Sequence, residues 1–164
     1  EIMSSDWSSD VCSSDLSVAD APFIRRLRGK LEAAGVGGDV EFLESFDRAT
    51  RLEFLRSLSV LSVPERDPVA YGLYVLEALA MGVPVVEPAI GCFPETIEMT
   101  GGGVLCEGGT AESLAESLAP VLLDAEAGRK LGAAGREGVR RAFDIETTAQ
   151  KMADTCERIA QQAK

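Results

Sequence analysis

The feature that most constrains this chain is an alternation of two periodicities. From Phe23 onward, segments with helical spacing are separated by short runs rich in β-branched residues. "FIRRLRGKLEAAG" sets Ile24, Leu27 and Leu31 on one helix face and stops at Gly35. "VEFL" (residues 40–43) is the first predicted strand, "DRATRLEFLRSL" a helix with Asp47 as N-cap, and "SVLSVP" (residues 59–64) a second strand. The next helix covers "GLYVLEALAMG". It is followed by the strand "PVVEP" (residues 84–88), the helix "PETIEMT" with Pro94 at its first position, and the strand "GVLCE" (residues 103–107). Thr110 is predicted to cap a helix reaching about Asp124. Two more helices are expected near 126–142 and 146–162, the last capped by Asp144. Strands joined through helices of this length pair in parallel, with the helices packed on the sheet, so the expected class is an open α/β fold.

Composition narrows the functions such a fold can serve. The chain has 164 residues and is 46% hydrophobic, enough for one domain with a real core. No apolar run approaches the roughly 20 residues that a membrane-spanning helix requires, and no basic region followed by an apolar one opens the chain. The expectation is a cytoplasmic protein without an integral membrane segment. Cys12, Cys92, Cys106 and Cys156 are widely spaced, and there is no histidine, so neither a zinc site nor a disulfide framework is expected and the cysteines read as free thiols. A net charge of −11 argues against nucleic acid as a partner but leaves room for an anion held by backbone amides.

Residues 1–16 stand apart, with "SSD" occurring three times and no basic residue. Low complexity of this kind is predicted to be disordered, and it resembles the translated adapter scar found at the ends of reading frames assembled from environmental DNA. An acidic tail is the alternative. Five acids and no bases fall in residues 1–22, so nearly half of the net charge lies ahead of the amphipathic sequence. The organisation expected is a disordered segment at 1–16, a linker at 17–22 and a domain at 23–164.

Chemistry is expected where loops leave the carboxyl ends of parallel strands and enter helices. The loop "PERDPVAYG" occupies that place. Gly72 lets a ligand approach the backbone closely, and the amides of Gly72 and Leu73 lie at the positive end of a helix dipole, which suits a phosphate. Glu77 follows Leu73 by one turn, about 6 Å along the axis. Its carboxylate is placed to take two hydrogen bonds from a diol such as a ribose; the spacing equally allows a solvated acid on the outer face.

"GLYVLEALAMGVPVVEP", followed by "GCFPETIE" and "GGGVLCEGGTAESLAESL", resembles the carboxyl-terminal domain of the family 4 retaining glycosyltransferases of GT-B fold. The likeness runs from about Phe23 to Ala160 and includes "RRAFDIETTAQKM" before the last helix. It implies a Rossmann-like parallel sheet with helices on both faces, the incomplete C-terminal half of a GT-B fold, from a parent that transfers a sugar from a nucleotide diphosphate sugar to an unknown acceptor. The donor substrate takes the place of a cofactor, and no metal is implied. By the same resemblance the diphosphate contacts the backbone at Gly72 and Leu73, the ribose contacts Glu77, and Gly91, Cys92 and Phe93 lie near the donor.

Two departures from the family pattern qualify that reading. The position eight residues before Glu77, an acid that contacts the transferred sugar in the family, is Val69 here, and the side chain of valine accepts no hydrogen bond. Glu65 and Asp67 either substitute from a shifted loop or are ordinary loop acids. The family's basic strand-loop-helix segment and its acceptor-binding amino-terminal domain have no counterpart before Phe23, with Arg66 the one basic residue near the site's loop. The fragment alone is therefore expected to be inactive, and a non-catalytic Rossmann-like binding module is the alternative reading. A sugar-nucleotide epimerase of the same fold fits less well, because its expected histidines are missing. Leu114, Leu118, Val121 and Leu122 read as a core stripe, "RKLGAAGREGVRR" as a solvated face, and Gly101-Gly102-Gly103 as a turn.

Overall fold

The computed structural model describes residues 21–42 and 48–162. Residues 1–16, Leu43 and the expected N-cap Asp47 fall outside that set. Two compact units divide the chain, residues 1–54 and 55–164.

In the first unit, α1 spans Ala21–Ala33, two residues earlier than the pattern predicts. Pro22 falls in its first turn, where the missing N–H costs no intrahelical bond. A 3-10 turn at Gly37–Asp39 follows, and Val40 has extended backbone, φ −118° and ψ 122°. Residues 40–42 nevertheless form no strand, because extended dihedrals become a strand only when a neighbouring chain pairs with the peptide groups. Arg28 instead lies over the Phe42 ring at 4.5 Å from its centroid. Helix α2, Arg48–Ser57, begins in the first unit and ends in the second.

The second unit carries the α/β pattern: α3 (Leu73–Ala80), β1 (Val85–Pro88), α4 (Phe93–Thr100), β2 (Gly103–Cys106), α5 (Ala111–Leu123), α6 (Ala125–Ala142) and α7 (Ile145–Gln162). Strands β1 and β2 are parallel, with Val85 opposite Gly103 and Pro88 opposite Cys106. The strand expected at 59–63 contracts to one parallel bridge, Leu61 to Val85. There the Leu61 N–H donates to the Pro84 carbonyl and the Val86 N–H to the Leu61 carbonyl, both at 2.9 Å. The next rung needs an N–H at residue 88, which is proline, and a free carbonyl at Val86, which accepts the Ser62 hydroxyl at 2.7 Å. The three segments are parallel neighbours, as the pattern implies, but the first of them peels away at Val63.

Both faces of the sheet are covered, α5 on one and α3, α4 and α6 on the other. Val86, Cys106 and Val121 form the α5 side of the core, with Val60, Val104, Leu114 and Leu118 packed against them. Leu122, expected in that stripe, is instead 52% exposed. It follows Val121 by 100° around the helix, which carries it past the edge of the sheet contact. On the opposite side Val75, Ala78, Leu79, Val85 and Phe93 are fully buried.

Helix α6 reaches this side through glycines that the sequence reading left unremarked. Gly132 lies against the Gly82 backbone, Gly135 against Leu79 and Gly102, and Gly138 against the Thr100 backbone, so tightly that a Cβ at any of the three would overlap its neighbour. The helix's arginines and Lys130 are exposed, as expected, and Arg141 donates to the Met99 carbonyl at 3.0 Å. Gly101, in the left-handed region at φ 68°, ends α4. Gly102 then leads into β2, and Gly103, expected in that turn, is already paired with Val85 as the first strand residue.

Candidate functional site

The loops after Val63 and after β1 both lead into short helices at the carboxyl end of the sheet. Gly72 is the N-cap of α3, in the left-handed region at φ 54°, not a residue of its first turn. A Cβ there would stand 3.0 Å from the Phe93 ring and 3.2 Å from the Cys92 sulfur, so two requirements, backbone sign and space, converge on glycine. Gly91, at φ 58°, sits so close to Val69 that a Cβ would be 2.5 Å from that residue's nitrogen and oxygen. The Cys92 N–H donates to the Val69 carbonyl at 2.9 Å. Val69, Gly72, Gly91, Cys92 and Phe93 thus come together, and with them the amino termini of α3 and α4.

Those two termini differ from the rest of the unit. Neither α3 nor α4 has a side-chain N-cap. By contrast Thr110 and Ser113 form a reciprocal capping box on α5, Asp124 accepts from the Glu126 and Ala127 amides of α6, and Asp144 accepts from the Glu146 and Thr147 amides of α7. Pro94 stands at the second position of α4, one later than predicted, because Phe93 opens the helix. The arrangement brings the two positive helix ends close together without an acceptor supplied by side chains of their own caps.

Of the remaining expected residues, Leu73 is 51% exposed at the start of α3, and Glu77 is half-buried one turn further along that helix. Arg66 and Asp67 are exposed loop residues. Glu65 is half-buried and accepts from the Tyr74 hydroxyl at 3.4 Å. Burial raises its pKa, with the Tyr74 hydrogen bond opposing and the Asp67 charge adding. Tyr74 packs on Phe93 with ring centroids 6.3 Å apart, and its pKa is pushed up by burial first and then by Glu87, Glu65 and Cys92. The Cys92 thiol is likewise raised, chiefly by burial, which makes it a poor nucleophile. Cys92, Cys106 and Cys156 are free. Among the described residues no group of three or more His, Cys, Asp or Glu side chains is arranged to hold a metal, and no helix is long and apolar enough to cross a membrane.

One residue next to this site was missed entirely. Glu87, read from the sequence as an ordinary strand position, is 0% exposed. Its carboxyl oxygens accept from the Val63 N–H at 3.2 and 3.3 Å. Burial pushes its pKa up to about 9, with the Val63 amide lowering it and the Glu65 charge raising it further. At neutral pH it is therefore a carboxylic acid rather than a carboxylate. An acid in the middle of "PVVEP" was the available signal, since a β-branched strand flanked by prolines has its side chains in the core.

Comparison with known proteins identifies a family and a fold. Residues 20–138 match the family described as Glycosyl transferases group 1. The GDP-mannose-dependent alpha-(1-6)-phosphatidylinositol monomannoside mannosyltransferase of Mycobacterium tuberculosis is 30% identical over 143 residues, 84% of this chain and 37% of that one. The N-acetyl-alpha-D-glucosaminyl L-malate synthase of Bacillus anthracis is 31% identical over 131 residues, 80% of this chain and 34% of that one. Among solved structures, the sucrose-phosphate synthase of Thermosynechococcus elongatus superposes with a TM-score of 0.72 at 28% identity, covering 86% of this chain and 35% of that one. HepE of Anabaena in complex with UDP shares the fold with a TM-score of 0.76 at 20% identity, covering 87% and 38%. The chain spans about a third of the length of the relatives it matches.

Proposed function

The chain belongs to the Glycosyl transferases group 1 family, and from that membership we propose that it is the donor-binding part of a longer glycosyltransferase. The parent would move a sugar from a nucleoside diphosphate to an acceptor held by a further domain. The observation that carries this reading is the meeting of two helix amino termini, neither with a side-chain cap, at Gly72 and Gly91. As the bond between the sugar carbon and the diphosphate oxygen breaks, its electron pair stays on that oxygen, so the departing nucleoside diphosphate gains negative charge, and helix ends fixed in place stabilise that charge without reorganising.

In this proposal residues 23–164 are the partial C-terminal domain, and residues 1–16 take no part. The backbone at Gly72 and Leu73 takes the diphosphate. Glu77 accepts hydrogen bonds from the ribose hydroxyls, and Gly91, Cys92 and Phe93 line the donor side. Val69 occupies the slot beside the transferred sugar and lends no acceptor. The donor class is a nucleoside diphosphate sugar, a choice supported by the GDP-mannose dependence named for the mycobacterial relative and by the UDP bound to HepE.

The test is calorimetric titration of this chain with UDP and GDP. At least one should bind weakly, and Glu77→Gln should weaken that binding roughly tenfold, the loss of one charge-assisted hydrogen-bonding group. No heat from either nucleotide at millimolar concentration, or an unchanged affinity in Glu77→Gln, would count against the assignment.

A further inference from the structure

The loop that carries Val69 and Gly72 leaves the sheet at a rung where the ladder is cut on both sides. Pro88 has no N–H for the Val63 carbonyl, which accepts the Glu65 N–H at 2.7 Å instead. Ser62 takes the Val86 carbonyl, so the Val63 N–H has no backbone acceptor on β1. The Glu87 carboxyl, projecting from β1 itself, fills that vacancy. A buried amide left without an acceptor is destabilising, so this side chain replaces an obligatory backbone bond.

We propose that Glu87 is a positioning residue for the candidate site: its buried carboxyl fixes the point at which loop 64–72 departs and, through that loop, the seat of Val69 and Gly72 against Gly91, Cys92 and Phe93. Beyond Val63 the loop has little else to hold it. Pro64, Arg66, Asp67, Pro68, Ala70 and Tyr71 face solvent. Its ties among the described residues include the Tyr74 hydroxyl to Glu65 at 3.4 Å and the Cys92 N–H to the Val69 carbonyl at 2.9 Å. Glu65 from the loop, Tyr74 from α3 and Cys92 from the start of α4 are the titratable groups acting on this corner. Burial raises the pKa of all three, and the Glu87 carboxyl can accept from the Val63 N–H in either protonation state.

The experiment reads amide hydrogen exchange by NMR on the whole chain at pH 6, for the parent and for Glu87→Met, Glu87→Asp and Glu87→Gln. Met fills the space but accepts nothing, Asp falls one methylene short, and Gln presents an amide oxygen at the original reach. In the Met and Asp variants the Val63 and Cys92 amides should each lose roughly tenfold in protection, while Ala89, bonded to the Cys106 carbonyl, stays as in the parent; Gln should restore both. Titration with UDP and GDP forms the second arm, in which Met should weaken binding roughly fivefold or more and Gln should bind as the parent does.

Unchanged protection at Val63 and Cys92 in both Met and Asp, or an equal loss at Ala89, would overturn the proposal. So would a deprotected Val63 with unaltered nucleotide affinity. The ligand arm rests on the donor-site reading above, whereas the exchange arm does not. A parent that binds neither nucleotide therefore sinks that reading while the exchange data still decide the role of Glu87.

Discussion

Substituting Glu87 by glutamine should make the protein more stable at neutral pH and leave it unchanged in acid. The carboxyl titrates near 4.5 when exposed and at about 9 when folded. Between those values the unfolded chain has released a proton that the folded chain keeps. Stability is therefore fully present below pH 4.5 and is lost as pH rises toward 9, with a slope of about 1.4 kcal/mol per pH unit. At pH 7 the accumulated loss is about 3 kcal/mol, a large share of the stability of an ordinary domain. Glutamine cannot ionise, and its amide oxygen can still accept from Val63. Urea unfolding followed by circular dichroism at pH 4, 5.5, 7 and 8.5 gives the parent-minus-variant difference, in which the other acids cancel. That difference should be near zero at pH 4 and should grow in favour of Glu87→Gln through pH 8.5. A flat difference, or a parent that gains on the variant as pH rises, would refute the buried neutral acid.

Gly138→Ala should cost roughly 2–4 kcal/mol because its Cβ would collide with the Thr100 backbone. Gly29→Ala in α1, with nothing within 4 Å, should gain about 0.5–1 kcal/mol in the same urea assay. Thr110→Ala removes half of the capping box on α5 and should lower stability by about 1 kcal/mol, read as a shift in urea midpoint without a change in slope. In a reconstructed full-length parent, Val69→Glu should tighten binding of a nucleotide sugar while leaving the nucleotide alone unaffected. Calorimetry showing equal changes for both would remove Val69 from the sugar slot.

Much of the fold is written locally. The periods of the helices, the stops at Gly35 and Gly82, and the caps at Thr110 and Asp144 depend on residues within one turn of each other, so a linear reading recovers them. The same holds for the loop-to-helix steps at Gly72 and Gly91. Residue type and position marked the step at Gly72, the family resemblance alone marked the step at Gly91, and the structure brings the two together.

What only the tertiary structure decided involves partners far apart in the chain. The strand ending at Val63 is cut short by Pro88 and Ser62 and tied by Glu87, contacts that span 24 residues or more. No periodicity in "SVLSVP" announces them. The glycines of α6 are needed because Gly82, Thr100 and Gly102 press against them from other turns, whereas in sequence they look only like poor helix formers. Leu122 lies on an apolar stripe, but a stripe sets only an angle around the helix, and the width of the neighbouring sheet decides which of its residues is covered. Glu87 is the sharpest case: a carboxyl on a strand is a charge when exposed and a neutral hydrogen-bonding group when buried, and the burial is settled by helices that the strand itself does not encode.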